Sequence, residues 1–194
     1  MKKLLTVLVM TVLLAGCDKV FHKAPSFENT DVTGLEYGKD FSLLDHNGKP
    51  RTLADFKGKV VVMFFGYTQC PDVCPTTMAE MTSVMKELGP SADKVQVLFV
   101  TLDPERDTRE ILSQYVPAFD QRFLGLYGTP EQTAQVAKEF KVFYTKVPGS
   151  AANTYTLDHF AGMYVFDQDG KIRLFVRNGQ DPRTIVHDIR QLLS

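Results

Sequence analysis

An unbroken apolar run, Val60-Val61-Val62-Met63-Phe64-Phe65, leads directly into Gly66-Tyr67-Thr68-Gln69-Cys70-Pro71-Asp72-Val73-Cys74-Pro75, and an amphipathic segment follows. A short run that is apolar at every position predicts a strand buried on both faces. Pro75 fits the first position of a helix, where its missing N–H costs nothing, and this makes Cys74 the cap residue. Met78, Met81, Val84, Met85 and Leu88 then recur at three- and four-residue spacing. They form the buried stripe of a helix from Pro75 to about Leu88, stopped by Gly89-Pro90, and are read as core rather than as metal ligands. This order puts Cys70 and Cys74 at a strand-to-helix junction.

The remaining pattern extends the unit. Val95 to Leu102 is a second fully apolar run and predicts another buried strand. Asp103-Pro104-Glu105-Arg106-Asp107-Thr108 forms the next turn, with Asp107 or Thr108 capping a helix that ends near Pro117. Phe123 to Leu126 reads as a third strand. Thr129-Pro130-Glu131-Gln132 has the form of a capping box and opens a helix reaching about Phe140. Val142 to Val147 reads as extended. Gly162 to Phe166 and Lys171 to Val176 flank Asp167-Gln168-Asp169-Gly170, a β-hairpin signal, and Asp181-Pro182 opens a last helix to Leu193. Strands alternating with helices predict an α/β domain, a central sheet flanked by helices on both faces with a β-hairpin near the C-terminus.

The N-terminus points to export. Lys2 and Lys3 precede the apolar run Leu4 to Ala15, too short to span a bilayer as a helix and of the right length for a secretory signal. Leu14-Ala15-Gly16-Cys17 resembles the bacterial lipobox, where cleavage leaves the cysteine as a lipid-modified N-terminus. Residues 1–16 are then a cleaved signal peptide, 17–39 a lipidated N-terminus and tether carrying Cys17, and 40–194 one folded domain. Asp18 resembles the signal for retention in the inner membrane, so the expected location is the bacterial inner membrane, with the domain facing the periplasm. A net charge of −1 and 44% hydrophobic residues, with no long charge run, exclude nucleic-acid binding and intrinsic disorder as leading readings.

With Cys17 lipidated, Cys70 and Cys74 are each other's only intramolecular partners. A purely structural disulfide closing so small a loop restrains the unfolded chain little. The alternatives are a soft-metal site and a cycling dithiol, both of which need thiolates that a helix N-terminus favours. His22, His46 and His187 fall in the tether, a polar turn and the last helix, and are expected to be solvated.

The motifs Gly66 to Pro75, Thr101-Leu102-Asp103-Pro104-Glu105-Arg106-Asp107-Thr108, Leu157-Asp158-His159 and the hairpin Asp167 to Gly170 occur in the order found in the Sco/SenC proteins, which the chain resembles over nearly its whole mature length. These are the copper-binding assembly factors of cytochrome oxidase. The resemblance implies a thioredoxin-like fold over 40–194 and a copper site made by Cys70, Cys74 and His159. Two thiolates and an imidazole suit both Cu(I) and Cu(II). Asp72 and Asp158 are candidates for supporting that site. The implied role is a membrane-anchored copper chaperone that delivers to the two-copper centre on the copper-bearing subunit of cytochrome c oxidase. Another periplasmic copper chaperone or a thioredoxin-like reductant would be a further partner. The alternative is a thiol-disulfide oxidoreductase in which Cys70 and Cys74 cycle, reducing the cysteines of that centre or of another copper protein before metal arrives.

Overall fold

A computed structural model describes residues 25–149 and 154–194. Its ten strands are β1 (Thr30–Asp31), β2 (Leu43–Asp45), β3 (Pro50–Arg51), β4 (Val60–Gly66), β5 (Val95–Thr101), β6 (Leu124–Tyr127), β7 (Tyr144–Pro148), β8 (Tyr155–His159), β9 (Gly162–Phe166) and β10 (Ile172–Arg177). The helices are α1 (Val73–Leu88), α2 (Arg109–Tyr115), α3 (Pro130–Glu139) and α4 (Pro182–Leu193). Eight strands form one sheet in the order β1-β10-β9-β4-β5-β6-β2-β3, while β7 and β8 pair separately. Strands β4, β5 and β6 are mutually parallel, and β9 runs antiparallel to β4 on its other side.

The two apolar runs are the centre of the molecule. Every residue of β4 and of β5 is buried. Parallel strands buried on both faces require cover on both: Phe64 and Phe99 pack with Tyr115 of α2 on one face, and Phe65 meets Phe140 at the end of α3 on the other. Helix α1 packs on α4, and Met78, Met81, Val84, Met85 and Leu88 all face the core, so the methionines are packing residues. The capping box of α3 is present, with Gln132 N donating to Thr129 Oγ1 at 3.2 Å and Thr129 N to Gln132 Oε1 at 2.8 Å. Asp181 caps α4 by accepting from Arg183 N. The expected hairpin is β9–β10, where Gly170 takes φ +78 in the turn, a conformation that favours glycine.

Three readings need correction: where α1 starts, the burial of His46 and how far the tether extends. Helix α1 starts at Val73 with Asp72 as its cap, two residues earlier than expected. Pro75 is therefore the third helical residue, which the first turn tolerates because its N–H groups have no intrahelical acceptor. Of the two residues offered as cap for α2, Thr108 takes the role, its hydroxyl accepting from Ile111 N. His46 is buried rather than solvated. Pairing of β2 with β6 carries it over Gly125, whose N–H donates to His46 Nδ1 at 3.0 Å. His187 is partly exposed and hydrogen-bonded, its Nδ1 lying 2.9 Å from Asp188 Oδ1. Residues 28–31, assigned by sequence to the tether, pack on the domain: β1 pairs with β10, and Glu28 N and Asn29 N both donate to the Asp188 carboxylate. The signal peptide, Cys17, Asp18 and His22 lie outside the described residues. Among those described, no helix is long and apolar enough to cross a membrane.

Candidate metal centre

The parallel strands β4 and β5 end side by side, and Leu102 N donates to Gly66 O at 2.8 Å. The chain then turns through Tyr67 to Asp72 into α1. This brings Cys70 onto the surface of the turn and Cys74 into the first helical turn, facing inward. Cys70 is half-buried and Cys74 is 0% exposed; both are free thiols. The Cys74 backbone N–H donates to Cys70 Sγ at 3.4 Å. Gly66 is required by this packing, because a Cβ there would stand 2.8 Å from Cys74 Sγ.

His159 comes from much later in the chain, at the end of β8. Its Nδ1 lies 2.7 Å from the Phe160 carbonyl oxygen. A carbonyl only accepts, so Nδ1 carries the proton and Nε2 presents its lone pair. That Nε2 is 3.8 Å from Cys74 Sγ. One ligand atom from each of Cys70, Cys74 and His159 lies within 4.8 Å of the others. The buried Tyr67 ring meets the imidazole edge-on at 5.8 Å and shields it on that side.

Burial sets the charge state. It pushes the Cys74 thiol well above the ordinary cysteine range, against the lowering effect of a backbone hydrogen bond from Tyr67. Placement in the first turn of α1 therefore does not make Cys74 a standing thiolate, because desolvation outweighs the helix N-terminus. Burial also lowers the affinity of His159 for a proton, opposed by its hydrogen bond to Phe160 and the charge of Asp158. The metal-free pocket thus pairs a neutral Cys74 thiol with a neutral imidazole.

The two candidate supporting carboxylates fall differently. Asp72 is exposed at the helix cap and makes no side-chain capping bond. Asp158 is exposed on β8, where alternation turns it away from the face of His159. The carbonyl of Phe160 orients the imidazole instead. Asp107 does work that its sequence position did not reveal. Buried at 1% exposure, it accepts from Thr68 N at 3.0 Å, Thr68 Oγ1 at 2.6 Å and Thr101 Oγ1 at 2.6 Å, tying the cysteine turn to the end of β5. Burial raises its pKa while the threonine hydrogen bonds pull it down. Its signal was membership of the Thr101 to Thr108 motif, read there as a helix cap.

The family model described as SCO1/SenC matches residues 30–194, which contain all three ligand candidates in this arrangement. The chain belongs to the SCO1/SenC family. A SCO1/SenC relative, "Protein SCO2 homolog, mitochondrial" of Bos taurus, is 39% identical over 157 residues, which is 80% of this chain but 59% of that protein. The chain thus spans well under two thirds of that relative's length. Among solved structures, ScoI of Bradyrhizobium japonicum with copper bound matches with a TM-score of 0.75 and 39% identity over 81% of this chain and 99% of that one. Apo Sco1 of Thermus thermophilus matches with a TM-score of 0.77 and 37% identity over 88% of this chain and 99% of that one. These Sco structures establish the thioredoxin-like, mixed α/β class expected from the sequence.

Proposed function

We propose that this SCO1/SenC protein binds copper through Cys70, Cys74 and His159 and hands it, as cargo, to the two-copper centre of cytochrome c oxidase. The observation that carries the reading is the approach of two sulfurs and a ring nitrogen to within 4.8 Å, with the Nε2 lone pair toward Cys74. Soft sulfurs suit Cu(I), and the added imidazole extends the set to Cu(II). The copper-bound ScoI structure supports the choice of metal. Three protein donors leave room for an incoming ligand, and a half-exposed Cys70 gives that ligand a way in. A lipid anchor at Cys17 would hold the domain at the bacterial inner membrane, on the periplasmic side, where an oxidase acceptor and other copper-handling or thioredoxin-like proteins can meet it.

A second reading draws on the asymmetry of the thiols. An accessible Cys70 attacks a target disulfide as thiolate, forms a mixed disulfide and releases one target thiol. The buried Cys74, passing its proton to the departing target sulfur, then attacks Cys70 Sγ, frees the second target thiol and leaves a Cys70–Cys74 disulfide. Two electrons pass to the target, and a dithiol reductant must restore the pair. His159 separates the two readings as a ligand, since copper binding uses its Nε2 as a third donor whereas exchange forms no bond to it.

The test is copper stoichiometry and absorption of the reduced full chain beside its Cys70→Ser and His159→Ala variants. One bound copper per chain, with a thiolate-to-Cu(II) band lost in either variant, is the expected result. Full copper binding by His159→Ala in both oxidation states would overturn the three-ligand site. Absence of binding together with fast dithiol exchange would make the protein a reductase.

A further inference from the structure

Two-stranded hairpins are marginal on their own, yet β7–β8, which carries His159, pairs with no strand of the central sheet among the described residues. Its placement against the cysteine turn needs a fastener. Arg106, outside the ligand group, touches every segment involved. Its Nε donates to Asp103 in the turn after β5. Its Nη1 donates to Gln69 Oε1 at 3.1 Å, one residue before Cys70, and to the Tyr155 carbonyl at 2.9 Å, at the start of β8. The guanidinium carbon lies 3.6 Å from the centre of the Tyr155 ring, and the Tyr155 hydroxyl donates to Asp103 at 2.8 Å, closing the circuit. Asp103 is itself 1% exposed, and its backbone N–H donates to Thr101 Oγ1 at the end of β5. Two further polar links run from the hairpin: the Leu157 backbone is hydrogen-bonded to the Tyr67 side chain, and Lys146 pairs with Glu105, an exposed pair of the kind that contributes little.

We propose that Arg106 is the positioning residue for His159. It clamps the β7–β8 hairpin to the cysteine turn and so holds the imidazole within reach of the two thiols. A planar fork stacked on the Tyr155 ring and bonded to the Tyr155 carbonyl, Asp103 and Gln69 is a role for which lysine has no equivalent geometry. The consequence for metal is selective. Cu(I) is satisfied by two thiolates, whereas Cu(II) depends on the imidazole, so loosening the hairpin penalises Cu(II) alone. This metal readout rests on the copper reading above; the effect on the hairpin does not.

The experiment uses the full chain as wild type, Arg106→Gln and Gln69→Ala, the last removing only an exposed end of the clamp. Amide exchange is followed without metal, and affinities for Cu(I) and Cu(II) ions are measured anaerobically. In Arg106→Gln, exchange at residues 155–159 quickens while β4 and β5 stay protected. Cu(II) affinity falls by about tenfold or more, as when a metal-orienting partner is lost, and Cu(I) affinity stays near wild type. Gln69→Ala shows the same Cu(II)-selective loss, smaller in size, and decides the matter if Arg106→Gln loses protection throughout the sheet. Unchanged hairpin exchange, unchanged Cu(II) affinity, or equal losses for both ions would overturn the proposal. Should the wild type bind neither ion, the copper reading fails, and hairpin exchange alone decides the clamp.

Discussion

At the scale of single residues, the four histidines show what one chain can and cannot disclose. His159 was identifiable only through its motif, because nothing local joins it to Cys74, 85 positions earlier. His46, in a polar turn, gave no sign of burial, since that depends on β2 pairing with β6. The buried His46 Nδ1 serves as acceptor for Gly125 N–H and must remain unprotonated to do so. Burial lowers its proton affinity below the ordinary histidine value of 6.5, opposed by the charge of Asp45 beside it. Arg109 of α2 donates to the carbonyls of His46 and Asn47 and fixes this turn. The unfolded chain therefore binds this proton at higher pH than the folded one. The stability linked to His46 is complete above the unfolded value and is lost as pH falls through the folded value. Urea titrations between about pH 7.5 and 5 should show that loss in the wild type and its absence in His46→Leu. The variant should also be less stable by about 1–3 kcal/mol at neutral pH, having left the Gly125 N–H without an acceptor.

At the scale of elements, local patterns sufficed wherever an element is defined by its own residues. The apolar runs of β4 and β5, the methionine stripe of α1, the capping box of α3 and the Asp-Gly turn of β9–β10 all lie within single short windows of sequence. The short strands β1, β2 and β3 were not legible. Two or three residues long, they exist only through partners elsewhere in the chain. The separate β7–β8 pair was half legible, as an extended stretch with no stated partner. What joins the elements at the candidate metal centre is also non-local, and Asp107 is the central case. Three hydrogen bonds from Thr68 and Thr101 converge on one buried carboxylate, so removing it leaves several donors unsatisfied beneath the cysteine turn. Asp107→Ala should lower stability by about 2–4 kcal/mol in urea titrations. It should also quicken amide exchange at Thr68 in the folded protein, ahead of any change in β4. An unchanged Thr68 exchange rate would mean that the turn holds its shape without this anchor.

At the scale of the whole molecule, the chain closes on itself. The segment before the first central strand runs back across the domain, with β1 pairing on β10 at the sheet edge and Asn29 bound to α4. A polar stretch without periodicity gave the sequence reading no reason to end the tether before residue 39, because its order comes from a carboxylate near the other end of the chain. That carboxylate is Asp188, 1% exposed within an amphipathic helix. It accepts from Glu28 N, Asn29 N and Asn29 Nδ2, each at 2.9 Å, and also from His187. A charged side chain is retained at so buried a position only where donors surround it. The clamp covers the edge of β10, which would otherwise present an open strand, and fixes where any N-terminal anchor leaves the folded domain. Asp188→Ala should therefore act at a distance from the mutated helix. Loss of about 2–4 kcal/mol, a melting temperature lower by roughly 5–15 °C for a domain of this size, should accompany faster proteolysis in residues 25–33. Copper stoichiometry should stay at the wild-type level, since neither the cysteine turn nor β8 touches the clamp. If the melting temperature fell while residues 25–33 kept their resistance, Asp188 would be stabilising α4 alone, and the N-terminal segment would be held by β1 pairing.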